Sequence, residues 1–157
     1  MEKMILLIED NEDDAKLTQI ALESNHIANK LVVIDDGAEA LEYIFCQGKY
    51  AQRDIKDIPT VILLDIKLPK VSGLQILEKI RADKRTNKLP VVLLTSSTEE
   101  NDMIKAYEKG CNSYICKPVD FQQFSEAIKQ LGLYWLVLNN IPINNFKKEA
   151  LKNDQNN

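Results

Sequence analysis

The chain has a single histidine, three cysteines and no apolar run long enough for a membrane, and each scarcity removes a class of function. His26 stands alone. A histidine metal site or a phosphohistidine relay needs more around it, so His26 reads as a surface residue at a helix end. Cys46, Cys111 and Cys116 show no C-x-x-C spacing, and an odd count without a framework suits a reducing cytosol. Cys116 reads as a small core residue within a strand. A membrane-spanning helix needs about 20 apolar residues in succession, which no segment approaches. The N-terminus lacks the charged, apolar and small-residue regions of a signal peptide, so Met4 to Ile8 is better used as a strand. There is no dense basic patch: 20 Lys plus Arg against 24 Asp plus Glu give a net charge of −4, and Lys147-Lys148 is too short to count. That balance leaves no bulk attraction for nucleic acid. No internal repeat or low-complexity segment precedes the tail, and 157 residues suit one domain with a sizeable core.

What the chain does have is apolar runs that end in reactive side chains. Val61-Ile62-Leu63-Leu64 stops at Asp65 and is followed by Pro69 and Gly73, the signature of a buried parallel strand. Met4 to Ile8 ends in Glu9 and Asp10, Val91 to Leu94 in Thr95-Ser96-Ser97, and Ser113 to Cys116 in Lys117-Pro118. Segments with helical spacing lie between them. Right-handed crossovers then bring the strand ends to one edge of the sheet, where open α/β folds bind ligands. That edge gathers three carboxylates, a hydroxyl and an ammonium. Clustered carboxylates repel unless a cation neutralises them, and Mg²⁺ favours carboxylates, water and a phosphoryl oxygen. A lysine and a hydroxyl opposite suit the remaining phosphoryl oxygens, and a central aspartate can become an aspartyl phosphate.

With these motifs in this order, residues 3–138 resemble the receiver domain of two-component response regulators. The resemblance implies an α/β, flavodoxin-like (βα)5 doubly wound fold with a parallel five-stranded sheet in the order 2-1-3-4-5. It implies that Glu9 and Asp10 are the acidic pair for Mg²⁺, that Asp65 is the phospho-acceptor, and that the Lys67 carbonyl is a further metal ligand. Thr95 would be the switch hydroxyl, Tyr114 the switch aromatic and Lys117 the phosphate-binding lysine, with a cis bond before Pro118. Ser72 stands where the family most often has Asp, and Lys67 occupies a position that tunes dephosphorylation; neither change removes a reacting group. The implied function is a cytoplasmic single-domain response regulator. It accepts a phosphoryl group from a sensor histidine kinase or phosphotransfer protein, catalyses only its own phosphorylation and dephosphorylation, and signals by protein contact. The long loop and the Leu-Tyr-Trp-Leu…Pro ending further resemble the phytochrome-associated single-domain regulators, which makes a bacteriophytochrome the candidate kinase. Two rivals are weighed. A haloacid-dehalogenase-type phosphatase needs a second Asp where Lys67 stands, and an unphosphorylated pseudo-receiver would not need every reacting group.

The first helix is expected from Asn11, its N-cap, to Ser24, with Glu12, Asp13 and Asp14 serving the first-turn dipole rather than a metal. Leu31 to Ile34 reads as a strand, Asp35-Asp36-Gly37 as a turn, and Ala38 to Gln47 as a helix with Leu41, Ile44 and Phe45 inward. Residues 47–59 form a long polar connection. Further helices are expected over Gly73 to Ala82, Thr98 to Lys109 closed by Gly110, and from Asp120 onward. In the last, Phe121, Phe124, Ile128, Leu131 and Trp135 should face the sheet, while Leu133, Tyr134, Leu136 and Val137 form a homodimer interface. The receiver domain is expected over 1–138 and a partly disordered extension over 139–157, whose Ile141, Pro142, Ile143 and Phe146 could instead cover that patch.

Overall fold

The computed structural model describes residues 3–26, 30–118 and 120–140. Five strands form one parallel sheet: β1 (Met4–Ile8), β2 (Lys30–Ile34), β3 (Val61–Leu64), β4 (Val91–Thr95) and β5 (Ser113–Cys116), in the order β2-β1-β3-β4-β5. The three runs that read as uninterrupted apolar residues are the three central strands, and every residue in them is buried. A strand covered by helices on both faces can carry no polar side, which is why these runs do not alternate. The outer strands β2 and β5 are only partly covered.

Period-two side-chain alternation divides the core into two layers. Leu6, Ile8, Ile62, Leu64 and Leu93 meet α2 (Gly37–Ile44), α3 (Gly73–Ala82) and α4 (Glu100–Glu108) on one face. Ile5, Leu7, Leu63, Val92 and Leu94 meet α1 (Glu12–Ser24) and α5 (Phe121–Gly132) on the other. Short polar side chains start the helices. Asn11, Asp36 and Asp120 each accept from the amide three residues on. Ser72 and Gln75 complete a reciprocal capping box at α3, so Ser72 starts that helix. Asp36 is thus a cap rather than part of a free turn, and α2 ends at Ile44, earlier than its apolar spacing suggests. The connection over 47–59 is pinned. It holds a 3₁₀ turn at Gly48–Tyr50, and Arg53 donates to the Tyr43 carbonyl and Cys46 Sγ while stacking 4.1 Å over the Tyr43 ring.

Three expectations about packing are corrected. Cys116 is exposed because it ends an edge strand, and Cys111 is the buried cysteine. Phe121, the first residue of α5, is 50% exposed and joins neither core layer; the inward stripe begins at Phe124. Leu136 is 1% exposed and belongs to the core. After Gly132 the helix continues as a π-helical turn over Leu133–Leu138, and its wider spacing lets Leu136 join the core layer that holds Leu131. Trp135 is left half-buried beside it. The alternative that residues 141–146 fold back, and the expected disorder of the tail, lie outside the described residues.

Gly73 is where fold and site meet. A Cβ there would lie 2.0 Å from the backbone oxygen of Asp65, so the start of α3 is pressed directly against the end of β3. Gly73→Ala forces the two backbones apart. It should cost about 2 kcal/mol or more, at the upper end of overpacking penalties, measured by urea unfolding; a loss below about 0.5 kcal/mol, the usual surface range, would disprove this contact.

Candidate functional site

Each strand of the inner set ends in a group that faces its neighbours across the sheet edge. The ladder runs one residue past the strands: Glu9 N–H donates to the Ile34 carbonyl at 3.0 Å, Asp65 N–H to Ile8 at 3.1 Å and Lys117 N–H to Thr95 at 2.8 Å. These bonds fix the backbones from which the side chains project. Asp65 Oδ1 accepts the Thr95 hydroxyl at 2.8 Å and the Lys67 amide at 3.3 Å. Its Oδ2 accepts the Lys117 ammonium at 3.0 Å. The ammonium also donates to Glu9 at 2.5 Å and to Asp14 at 3.0 Å. Glu9, Asp65 and Thr95 are buried, and Asp10 is exposed at the rim.

Burying charge in this density has electrostatic consequences. Burial raises the Glu9 pKa to about 7, outweighing the hydrogen bond from Lys117, and the nearby Asp65 charge pushes the same way. For Lys117 burial acts downward, but the hydrogen bonds to Glu9, Asp14 and Asp65 win, so its pKa lies above that of an ordinary lysine and it stays charged. One ammonium serves several acids, and the set remains short of positive charge. Oxygens of Glu9, Asp10 and Asp65 lie within 4.8 Å of one another, and three hard carboxylates at that spacing fit a divalent cation.

Glu9, Asp10, Asp65, Thr95 and Lys117 are therefore gathered as their spacing implied. Lys67 reaches Asp65 through its amide, and its side chain is exposed. Tyr114 is half-buried, its hydroxyl donating to the Ser97 carbonyl at 3.0 Å. The expected cis bond before Pro118 is corrected: no cis peptide occurs among the described residues. Trans is favoured even before proline, and here the trans bond already leaves the ammonium within reach of Asp65. Two participants were missed. Asp14, assigned to the helix dipole, reaches Lys117 from 103 residues away in sequence. Ser97 is buried, and it donates its amide to Thr95 Oγ1 at 3.2 Å and its hydroxyl to Asp102 at 2.6 Å. A serine two residues beyond a strand carries no signal that would have singled it out.

Residues 5–129 match the response regulator receiver domain family. The chain is 33% identical to the response regulator Rcp1 of Synechocystis over 140 residues, covering 89% of this chain and 93% of that protein. Among solved structures, the phosphorylated cyanobacterial phytochrome response regulator RcpA is 34% identical with a TM-score of 0.84, the match covering 90% of this chain and 99% of that one. The bacteriophytochrome response regulator RtBRR is 45% identical with a TM-score of 0.72, covering 99% of this chain and 93% of that one.

Because burial keeps the Glu9 carboxyl protonated to higher pH than an ordinary glutamate, a cation binding there would compete with a proton below that pKa. The affinity of the site for Mg²⁺ or Mn²⁺ should therefore rise with pH, by up to about tenfold per pH unit below the Glu9 pKa, because one proton leaves per ion bound. It should level off above about pH 7. Calorimetric titrations between pH 5.5 and 8.5 test this, and a flat profile would remove Glu9 from the cation set.

Proposed function

Because the chain belongs to the response regulator receiver family, we propose that it accepts a phosphoryl group on Asp65 from a sensor histidine kinase or phosphotransfer protein, with Mg²⁺ as cofactor. One observation carries the reading: a single buried carboxylate, Asp65, contacts both the Thr95 hydroxyl and the Lys117 ammonium and also belongs to the acidic set. No other acid among the described residues combines these contacts. An oxygen of Asp65 forms the new bond to phosphorus while the P–N bond of a phosphohistidine breaks and its electron pair leaves with the imidazole. Lys117 and the Thr95 hydroxyl then hold phosphoryl oxygens in place of carboxylate oxygens. Bound Mg²⁺ neutralises charge on the transferring group. Glu9, Asp10, Asp65 and the Lys67 carbonyl are the residues we assign to it.

Receiver domains are signalling modules rather than enzymes with external substrates. We infer that output passes through the surface of α4, β5 and α5, to which Thr95, Ser97 and Tyr114 lead. The relatives named for phytochrome signalling support a bacteriophytochrome-type kinase as the donor. We assign the receiver to 1–138 and an extension to 139–157, and a cytoplasmic location fits a chain in which no described helix can cross a membrane. Beyond the buried Leu136, the π-helical turn after α5 leaves Leu133, Tyr134, Val137 and Leu138 substantially exposed, and we assign this apolar strip to a homodimer.

Two outcomes are expected. Asp65→Asn should abolish Mg²⁺-dependent labelling by acetyl phosphate, whereas Thr95→Ala should bind Mg²⁺ within about threefold of wild type, since only charged ligands carry most of the affinity; undiminished labelling of the Asp65 variant would reject the acceptor. By light scattering at tens of micromolar, the wild type should be dimeric and a Leu133→Glu, Val137→Glu variant monomeric. A wild-type monomer, with or without phosphodonor, would reject the interface.

A further inference from the structure

Asp14 is the third residue of α1, the position from which a Glu or Gln folds back to the cap's own amide in a capping box. At α3 this happens, with Gln75 accepting from the Ser72 amide at 3.0 Å. At α1 it does not. Glu9 Oε1 accepts the Asn11 amide at 3.1 Å, while Asn11 Oδ1 accepts the Asp14 amide at 3.0 Å. The Thr18 hydroxyl donates to the Asp14 carbonyl at 2.8 Å, which further fixes that turn. The Asp14 backbone is thus held while its carboxylate is released from capping duty. It points instead at Lys117 Nζ, 3.0 Å away, and retains about a third of its side-chain surface.

Lys117 has three acid partners, Glu9, Asp65 and Asp14. Two of these also belong to the set that fits a cation, and Asp14 does not. A dication and an ammonium claiming the same oxygens repel each other strongly in a poorly solvated site. We propose that Asp14 is a positioning residue: it is the partner that keeps the Lys117 ammonium inside the site when a divalent cation takes Glu9 and Asp65. The inference rests on the reading of Glu9, Asp10 and Asp65 as the cation set. Its consequence is that cation and lysine occupy the site together rather than in alternation, with Lys117 still directed at the Asp65 end.

A double-mutant cycle on Mg²⁺ affinity, read by calorimetry without any phosphodonor, tests it. Asp14→Asn should weaken Mg²⁺ about three- to tenfold when Lys117 is present and less than about twofold in a Lys117→Gln background, the difference being the coupling between the two sites. Asp13→Asn is the matched control, since it removes an equal charge from the same helical turn at an exposed position, and should change the affinity less than about twofold. It also decides the matter if Lys117→Gln fails to fold. Equal losses in both backgrounds, or an Asp13→Asn effect as large as that of Asp14→Asn, would reduce Asp14 to a general anion and overturn the inference. A wild-type protein that binds no Mg²⁺ would overturn the cation reading along with it.

Discussion

The arrangement depends on one interaction, the buried Lys117 ammonium held among Glu9, Asp14 and Asp65. These acids come from the end of β1, the first turn of α1 and the end of β3, and the lysine from the end of β5. Removing one partner from a buried ion pair strands a charge and costs about 3–5 kcal/mol. The four segments are therefore tied together at the point where they would otherwise repel. The same interaction explains why the site is receptive. One ammonium cannot balance several carboxylates, and the charge left over is what a divalent cation at Glu9, Asp10 and Asp65 would neutralise.

Such a concentration of charge survives because the fold beneath it is apolar without interruption. Every residue of β1, β3 and β4 is buried, and each fully buried Leu or Ile contributes about 1.5–3 kcal/mol relative to exposure. The parallel arrangement does the rest. It sends all strand ends to one side, so the polar groups face one another instead of being scattered. Gly73 allows α3 to start against the Asp65 carbonyl, where any side chain would open the edge that holds the site together.

How far this was legible in the sequence follows from the same physics. Apolar runs that stop at Glu9, Asp65, Thr95 and Lys117 mark both the strands and their chemistry, because in a doubly wound sheet the two coincide. The bounds of β1, β3 and α3 followed from their apolar spacing and caps. What stayed hidden depended on partners or on a change of period. Asp14 looks like any first-turn acid until the lysine is placed beside it. Leu136 lies off an α-helical stripe and enters the core only because the π turn changes the spacing. Cys116 follows a strand pattern, but the pattern alone does not say that the last residue of this edge strand is left uncovered. The Lys117-Pro118 dipeptide carries no record of its isomer, and here it is trans.

The proposed function requires an event at Asp65 to reach the surface, and the bonds of Ser97 offer a connection. Its amide is bonded to Thr95 Oγ1, its hydroxyl to Asp102 in α4, and its carbonyl to the Tyr114 hydroxyl on β5. The α4 helix has no side-chain cap from its N-cap residue, and Ser97 ties its start to the end of β4 by donating to Asp102 and accepting the Glu99 amide at 3.4 Å. The Thr95 hydroxyl already donates to Asp65, so switching does not require it to cross the site. A phosphoryl group adds about −1.5 to −2 charges, and it would draw the hydroxyl from carboxylate to phosphoryl oxygen. Because Ser97 is bonded to Thr95, to α4 and to β5 alike, a displacement of the Thr95 hydroxyl would be passed to both elements together. On the proposed reading the outer face would then respond as a unit, which is the condition for a local charge change to alter partner preference.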